Sequence, residues 1–347
     1  MKKIITSVLT LSAMTLVFAQ SNNDTTTQTG TNHNVNTIQT GLSNSNTVLQ
    51  NGAAANANRA TIRQTGTSNA NEITQTGSNN VADALQNGSD NSSTVLSLGN
   101  RNNSDVDQIG STNSATQDQT GNDNSAVVMQ VGDLNNSFQI QTGSGHVGGI
   151  TQTGSNGYAH QAQYGTSQTA SIIQEGNDNT SSQYQYARDN NAEVTQIGDS
   201  NFSYQSQSAG GNNEMSALQT GDRNSANQSQ SGSRNDMTLT QTGDRNTAWQ
   251  FQLTGDDNYM TLSQTGNDNY GRQYQTGNNN VAEGTQDGWN TLTQEQYNGN
   301  NRAIDTQTSV SGLYRNSIVV EQRGGFNVHT GSQLGDGNIM NVVQKGL

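Results

Sequence analysis

Gln recurs through this chain at steps of eleven residues. It stands at positions 64, 75 and 86, then at every eleventh position from 108 to 207. After one-residue slips the series continues, at 219, 230, 241 and 252 and then at 264 and 275. Ser97 occupies the one vacant slot. An Asn precedes most of these Gln by six residues and a Gly follows by two, so the unit reads Asn-x-x-x-x-x-Gln-x-Gly. A fixed short period of this kind specifies one small structural unit stacked on copies of itself. Exceptions to the step, such as Ser309–Arg315, fall between a Gln and the next Asn, where an insertion in a turn costs little. The seven residues from Asn to Gln seldom change length, as expected of a strand whose register is fixed.

Within that window, Asn, the second and fourth residues after it, and Gln share parity, so in a strand they lie on one face. Asn124, Ala126, Val128 and Gln130 are one such set; Asn235, Met237, Leu239 and Gln241 are another. This is the expected inward face. Its fourth-residue slot alternates, reading Gln117, Val128, Gln139, Ile150, Gln161, Ile172, Gln183 and Val194 in succession. Two steps therefore make one 22-residue coil with two non-equivalent strands. The expected fold is all-β, an amyloid-like cross-β solenoid of stacked two-strand coils with two parallel sheets face to face. Some 29 windows give about 14 coils, and a strand spacing of about 4.8 Å gives a rod on the order of 70 Å long.

Composition agrees. Only 28% of residues are hydrophobic and 5% aromatic, too few to offset the ordering cost of one large core. Pro is absent and charged residues are 12%, so the chain lacks the usual marks of disorder; a Gln/Asn-rich, Pro-free, weakly charged chain favours cross-β stacking. An amide carries donors and an acceptor, so stacked amides can continue a hydrogen-bond chain indefinitely, which a carboxylate cannot. Asn124, Gln130, Asn190, Gln196, Asn235, Gln241, Asn246, Gln252, Asn269 and Gln275 are the expected ladder residues. Gly121, Gly143, Gly198, Gly221, Gly243, Gly266 and Gly277 are the expected four-residue-turn glycines. The weakest windows are Asn22–Gln28 and Asn301–Gln307, which turn Asp24 and Asp305 inward; the first is expected to be frayed or no strand at all. With no Cys, disulfides and thiolate metal sites are excluded. A net charge of −13 argues against a nucleic-acid partner.

Residues 1–19 differ from the rest. Lys2 and Lys3 precede an apolar run from Ile4 to Phe18, and Val17-Phe18-Ala19 suits a cleavage site. This reads as a secretory signal peptide cleaved after Ala19, and no later segment is apolar enough to span a bilayer. Residues 20–32 form a poorly patterned N-terminal segment and 33–347 the repeat array.

The Asn-x-x-x-x-x-Gln-x-Gly-x-x-Asn unit, in about 28 copies behind a signal peptide, resembles the curlin repeats of the major subunit of curli. The resemblance implies a bacterial functional amyloid on the cell surface and in biofilm matrix, serving adhesion and aggregation. It also implies export through a curli-type outer-membrane secretion pore, accessory chaperones, and nucleation by a minor subunit. Two features depart from the family pattern. The pattern starts at Asn22, so residues 20–32 would have to serve as the export-targeting stretch. The repeat count also exceeds the handful usual in the family.

The expected function is thus self-assembly, head to tail through unpaired strand edges, and not catalysis. No nucleophile–base grouping stands out, no cofactor is implied, and His33, His146, His160 and His329 lack metal-ligand spacing. The last window, Asn338–Gln344, shows no cap. Asp199, Asp222 and Asp244 fall at matching turn positions, either as a solvated turn or as gatekeepers against premature aggregation. Phe202, Tyr204, Trp249 and Phe251 lie on the parity opposite Asn and Gln. They make an outer face for bundling or adhesion, a stabilising ladder, or, if that sheet is flipped, an inner one. The competing reading is a secreted monomeric solenoid, such as an ice-binding protein or an adhesin passenger; the recurrent Gln-Thr-Gly places its Thr beside turns, not along a strand face.

Overall fold

The computed structural model describes residues 21–52, 57–310 and 314–346; the leader 1–19 lies outside them. The described residues form twenty-nine strands and no helix, from β1 (Asn23–Thr29) to β29 (Ile339–Lys345). Odd-numbered strands make a fifteen-stranded sheet and even-numbered strands a fourteen-stranded one. All pairs are parallel, and Gln stacks on Gln: Gln130 of β10 (Ser125–Asp133) pairs with Gln152 of β12 (Val147–Ser155). The chain is therefore a β-solenoid of two facing parallel sheets with a coil of about 22 residues. Coils of other lengths keep the same register. Gln196 pairs with Gln219 across 23 residues and Gln307 with Gln333 across 26, because the extra residues sit in the connections.

The inward slot that alternates along the sequence separates into one column per sheet. Val106, Val128, Ile150, Ile172, Val194, Leu239 and Leu262 are buried in the even sheet. Gln117, Gln139, Gln161, Gln183, Gln205, Gln228, Gln250 and Gln273 are buried opposite them. Near the C-terminal end the apolar side chains change sheet. Gly284 vacates the even column and Leu292 fills the space: a Cβ at 284 would lie 2.4 Å from Leu292 Cδ2.

Two expectations are corrected. The window Asn22–Gln28 is a strand, β1, paired residue for residue with β3 (Ser45–Asn51), although all seven of its residues are exposed. From β4 (Arg59–Thr67) to β13 (Tyr158–Thr166) the connections are also shorter than four residues. There strands run nine residues, past Gln and Gly, and only Leu134 and Asn135 separate β10 from β11 (Asn136–Ser144). Backbone hydrogen bonds continue round the corner, as in Leu134 N–H to Ser111 O at 3.0 Å. The corner needs two left-handed residues, the Gly and the one before the next Asn: Gly132 has φ 119° and Leu134 φ 60°.

Candidate functional site: ladders, corners and outer face

The Gln side chains at the end of each window form continuous ladders along the rod. In the even sheet the ladder is unbroken from Gln39 to Gln333. Gln130 Nε2 donates to Gln152 Oε1 at 2.9 Å, Gln196 to Gln219 at 2.9 Å and Gln241 to Gln264 at 2.8 Å. The second Nε2 proton crosses to the other sheet, from Gln130 to Ser114 O at 2.9 Å. Gln108 donates to Gln130 Oε1 at 2.8 Å, so both donors and the acceptor of a fully buried amide are used. Each Gln thus binds the next coil and the facing sheet together. In the odd sheet Gln252 likewise donates to Gln275 at 3.0 Å. A third ladder runs from Gln117 to Gln294 and finishes on the buried carboxylate of Asp305 at 2.7 Å. Burial raises the pKa of Asp305, and hydrogen bonds from Gln294 and His329 oppose that rise.

Ser97 interrupts the odd-sheet ladder. Its hydroxyl reaches only Ser104 Oγ, and Ser104 in turn donates to Gln119 Oε1. Ser97→Gln would accept from Gln75 and donate to Gln119. It is expected to raise stability by about 1 kcal/mol, read as a higher denaturant midpoint; an unchanged or lower midpoint would count against amide continuity as a source of stability.

Asn stacks amide on amide in part of its columns, Asn213 Nδ2 donating to Asn190 Oδ1 at 3.1 Å and Asn269 Nδ2 to Asn246 Oδ1 at 3.0 Å. It also ties corners through the backbone. Asn124 Oδ1 accepts the N–H of His146 at 3.1 Å, while Asn124 Nδ2 donates to Gly143 O at 3.2 Å. Asn190 Oδ1 accepts the N–H of Asn213 at 3.1 Å. Asn235 and Asn246 donate from Nδ2 to Gly255 O and Gly266 O at 3.0 and 2.8 Å. Asn269 N–H donates to Asn246 Oδ1 at 3.0 Å, and Asn269 Nδ2 to Thr265 O at 2.9 Å.

His146 stands in this Asn column, a role its spacing did not suggest. Its Nδ1 accepts the Gln168 N–H at 3.4 Å and its Nε2 lies 3.3 Å from Thr142 O. The ring therefore carries its proton on Nε2 and must be neutral to accept on Nδ1. Burial lowers its pKa, against smaller opposing effects of backbone hydrogen bonds to Thr142 and Gly165. Because the folded pKa lies below the unfolded one, this contribution is complete above about pH 6.5 and is lost as pH falls through that range. His146→Asn is expected to remove that acid-side loss in a pH series of melting curves.

The seven corner glycines all have positive φ, from 87° at Gly266 to 133° at Gly143. Asp199, Asp222 and Asp244 stack one coil apart and are built into the corners. Asp222 Oδ1 accepts the Asp199 N–H at 2.9 Å and Asp244 Oδ1 the Asp222 N–H at 3.0 Å. Beside them Arg245 pairs with Asp268 at 2.8 Å.

The aromatic side chains point outward, which rules out the flipped sheet. Phe202 and Trp249 are exposed. They form two patches, not one face. Tyr204 continues a run through Tyr184 and His160, with centroids 5.7 and 5.1 Å apart. Trp249 contacts Phe251 and Tyr270. Between the patches β19 (Ser225–Gln230) turns Asn227 and Ser229 outward.

Residues 66–97, 99–132 and 232–266 match the curlin associated repeat. No curated protein matches the chain. The three matched segments share their Gln register with the coils between and beyond them, and the chain carries curlin associated repeats.

Proposed function

We propose that this chain is the structural subunit of an extracellular, curli-like amyloid fibre, growing by head-to-tail addition of copies and carrying no catalytic role. The polarity of the Gln ladders is the observation that supports this most. Among the described residues, Gln28 and Gln39 receive no amide donor on Oε1, whereas Gln333 and Gln344 donate one Nε2 proton to backbone and none to another Gln. One end of the solenoid thus offers acceptors and the other donors, beside the exposed backbone edge of β1. Secretion behind a leader at 1–19, export guided by residues 20–32, a curli-type pore with its chaperones, and a nucleating minor subunit complete the reading. Electron microscopy with thioflavin fluorescence of the purified chain tests it: fibres are expected, and lasting soluble monomers would overturn it.

Within this reading the aromatic patches hold fibres side by side. Replacing Phe202, Tyr204, Trp249 and Phe251 with Ser is expected to leave single fibres intact while reducing bundling in micrographs. Three stacked carboxylates give Asp199, Asp222 and Asp244 a gatekeeping basis, since their mutual repulsion opposes coil stacking; a triple Asn variant with an unchanged lag would refute that role. The monomeric ice-binding alternative gains one feature, an outward Thr238, Thr240, Thr261 and Ser263 array on β20 (Asp236–Thr242) and β22 (Tyr259–Thr265). Glu214, Asp236, Tyr259 and Glu283 interrupt that surface, and fibre growth remains the better-supported reading.

A further inference from the structure

The two sheets hold unequal numbers of strands, fifteen and fourteen. The described rod therefore carries an odd-sheet strand at both ends and spans fourteen and a half coils. Each strand follows from the one before by nearly the same operation: a half-turn about the rod axis with half a strand spacing along it. The hydrogen bonds show this, since they repeat without regard to sheet. Gln130 of β10 donates to Ser114 O of β9 (Ser114–Asn122), and Gln141 of β11 donates to Ser125 O of β10, both at 2.9 Å.

Resting on head-to-tail growth, we infer that successive copies in the fibre are turned by half a revolution, so that β1 of the incoming copy extends the even sheet on β28 (Val328–Leu334) and β2 (Asn34–Leu42) extends the odd sheet on β29. The sheets then exchange identity at every junction, and the aromatic patches appear on alternate sides of the fibre. Stacking the copies without rotation would place β1 on β29 and leave half a coil vacant beside β28.

Two independent observations favour the turned junction. The first is the register of end residues, carried over from pairs within the rod. In the turned junction His329 meets Asp24, Met340 meets Val35, and Val343 meets Ile38. Val343 and Ile38 are both exposed in the single rod, at 61% and 48%. Without rotation Met340 would cover Asp24, burying a carboxylate against a thioether. The second is the crossing bond of Gln. From Gln39 to Gln344, each window-end Gln gives one proton to a backbone carbonyl half a coil earlier, as Gln39 does to Asn23 O at 3.0 Å and Gln344 to Val328 O at 2.9 Å. Among the described residues Gln28 bonds only to Gln50. The half-coil that would supply its carbonyl is β29 of the preceding copy, and only the turned junction puts it there.

The chain has no cysteine of its own, so introduced pairs report the junction cleanly. Neighbouring parallel strands about 4.8 Å apart are within disulfide reach. Within one copy the two positions lie at opposite ends of the rod, so any bond joins two copies. Fibres of Ile38→Cys/Val343→Cys and of Thr27→Cys/Val343→Cys would be grown reduced, oxidised, then dissolved under denaturing, non-reducing conditions. The first variant is expected to give a ladder of covalent multimers and the second only monomer. Multimers from the second alone would establish the unrotated junction and overturn the inference while leaving fibre growth standing. Fibres in which neither variant links would overturn it equally. Failure of the parent chain to form fibres would remove the head-to-tail reading beneath it.

Discussion

Gly121→Ala is expected to destabilise the middle of the rod by on the order of 3–5 kcal/mol and to abolish fibre growth at protein concentrations where the parent assembles. Two costs combine. Gly121 has φ 124°, outside the range that residues with a Cβ adopt readily. A Cβ built there would also lie 1.8 Å from Gly143 O in the next coil. Neither cost can relax locally, because the obstructing atom is backbone inside a continuous ladder. The chain contains its own control. Ala187 takes the Gly position with φ 77°, where the next coil has the wider turn Ser208–Asn213 and a single bridge, Arg188 to Gly211, continues the pairing. Ala at 121 has no such slack. A melting midpoint for Gly121→Ala equal to that of the parent would show that the corners stack more loosely than these distances require.

Gln130→Glu is the second large effect. The carboxylate would still accept from Gln108, but it offers no donor to Gln152 Oε1 or Ser114 O, which the amide now satisfies at 2.9 Å each. An uncompensated charge at a fully buried site costs on the order of 3–5 kcal/mol. Burial would raise the folded-state pKa of this Glu above its unfolded value, so the penalty is full at neutral pH and shrinks as pH falls through the folded pKa. The variant should therefore approach parent stability in acid, most simply read by melting curves between neutral pH and pH 4. Asp305 shows how a buried carboxyl group is tolerated. It sits where the third ladder stops, with Gln294 Nε2 at 2.7 Å and His329 Nε2 at 3.0 Å in attendance.

The coil period, the two parallel sheets and the separation of aliphatic from Gln columns were legible because each follows from spacing and parity alone. Val128 and Gln139 lie eleven residues apart in sequence and on opposite walls in space, and nothing but a two-strand coil satisfies that alternation. The corners were less legible. The residue before each Asn needs positive φ, yet Leu134, Arg101 and Thr112 all serve there; stacking imposes the conformation and side-chain identity hardly records it. Asn and Gln read alike as amides, but the shorter side chain at a corner reaches backbone groups, as Asn124 does to Gly143 O. His146 carries no metal-ligand spacing, and its use as a stand-in for Asn becomes visible only with the coil above in place. β1 was misjudged from its inward Asp24 and Thr26. Its backbone pairing with β3 does not depend on them, because the side chains of an end coil still face solvent. The His329–Asp305 pair joins residues 24 apart across an inserted connection, where the regular period gives no guidance.

Fibre diffraction from aligned material grown from the purified chain tests most directly whether amides stacked in register carry one copy into the next. A meridional reflection near 4.8 Å with an equatorial one near 10 Å is predicted, from strands perpendicular to the fibre axis in two facing sheets. Fibres without the meridional reflection, or a chain that stays in solution as single rods, would contradict it.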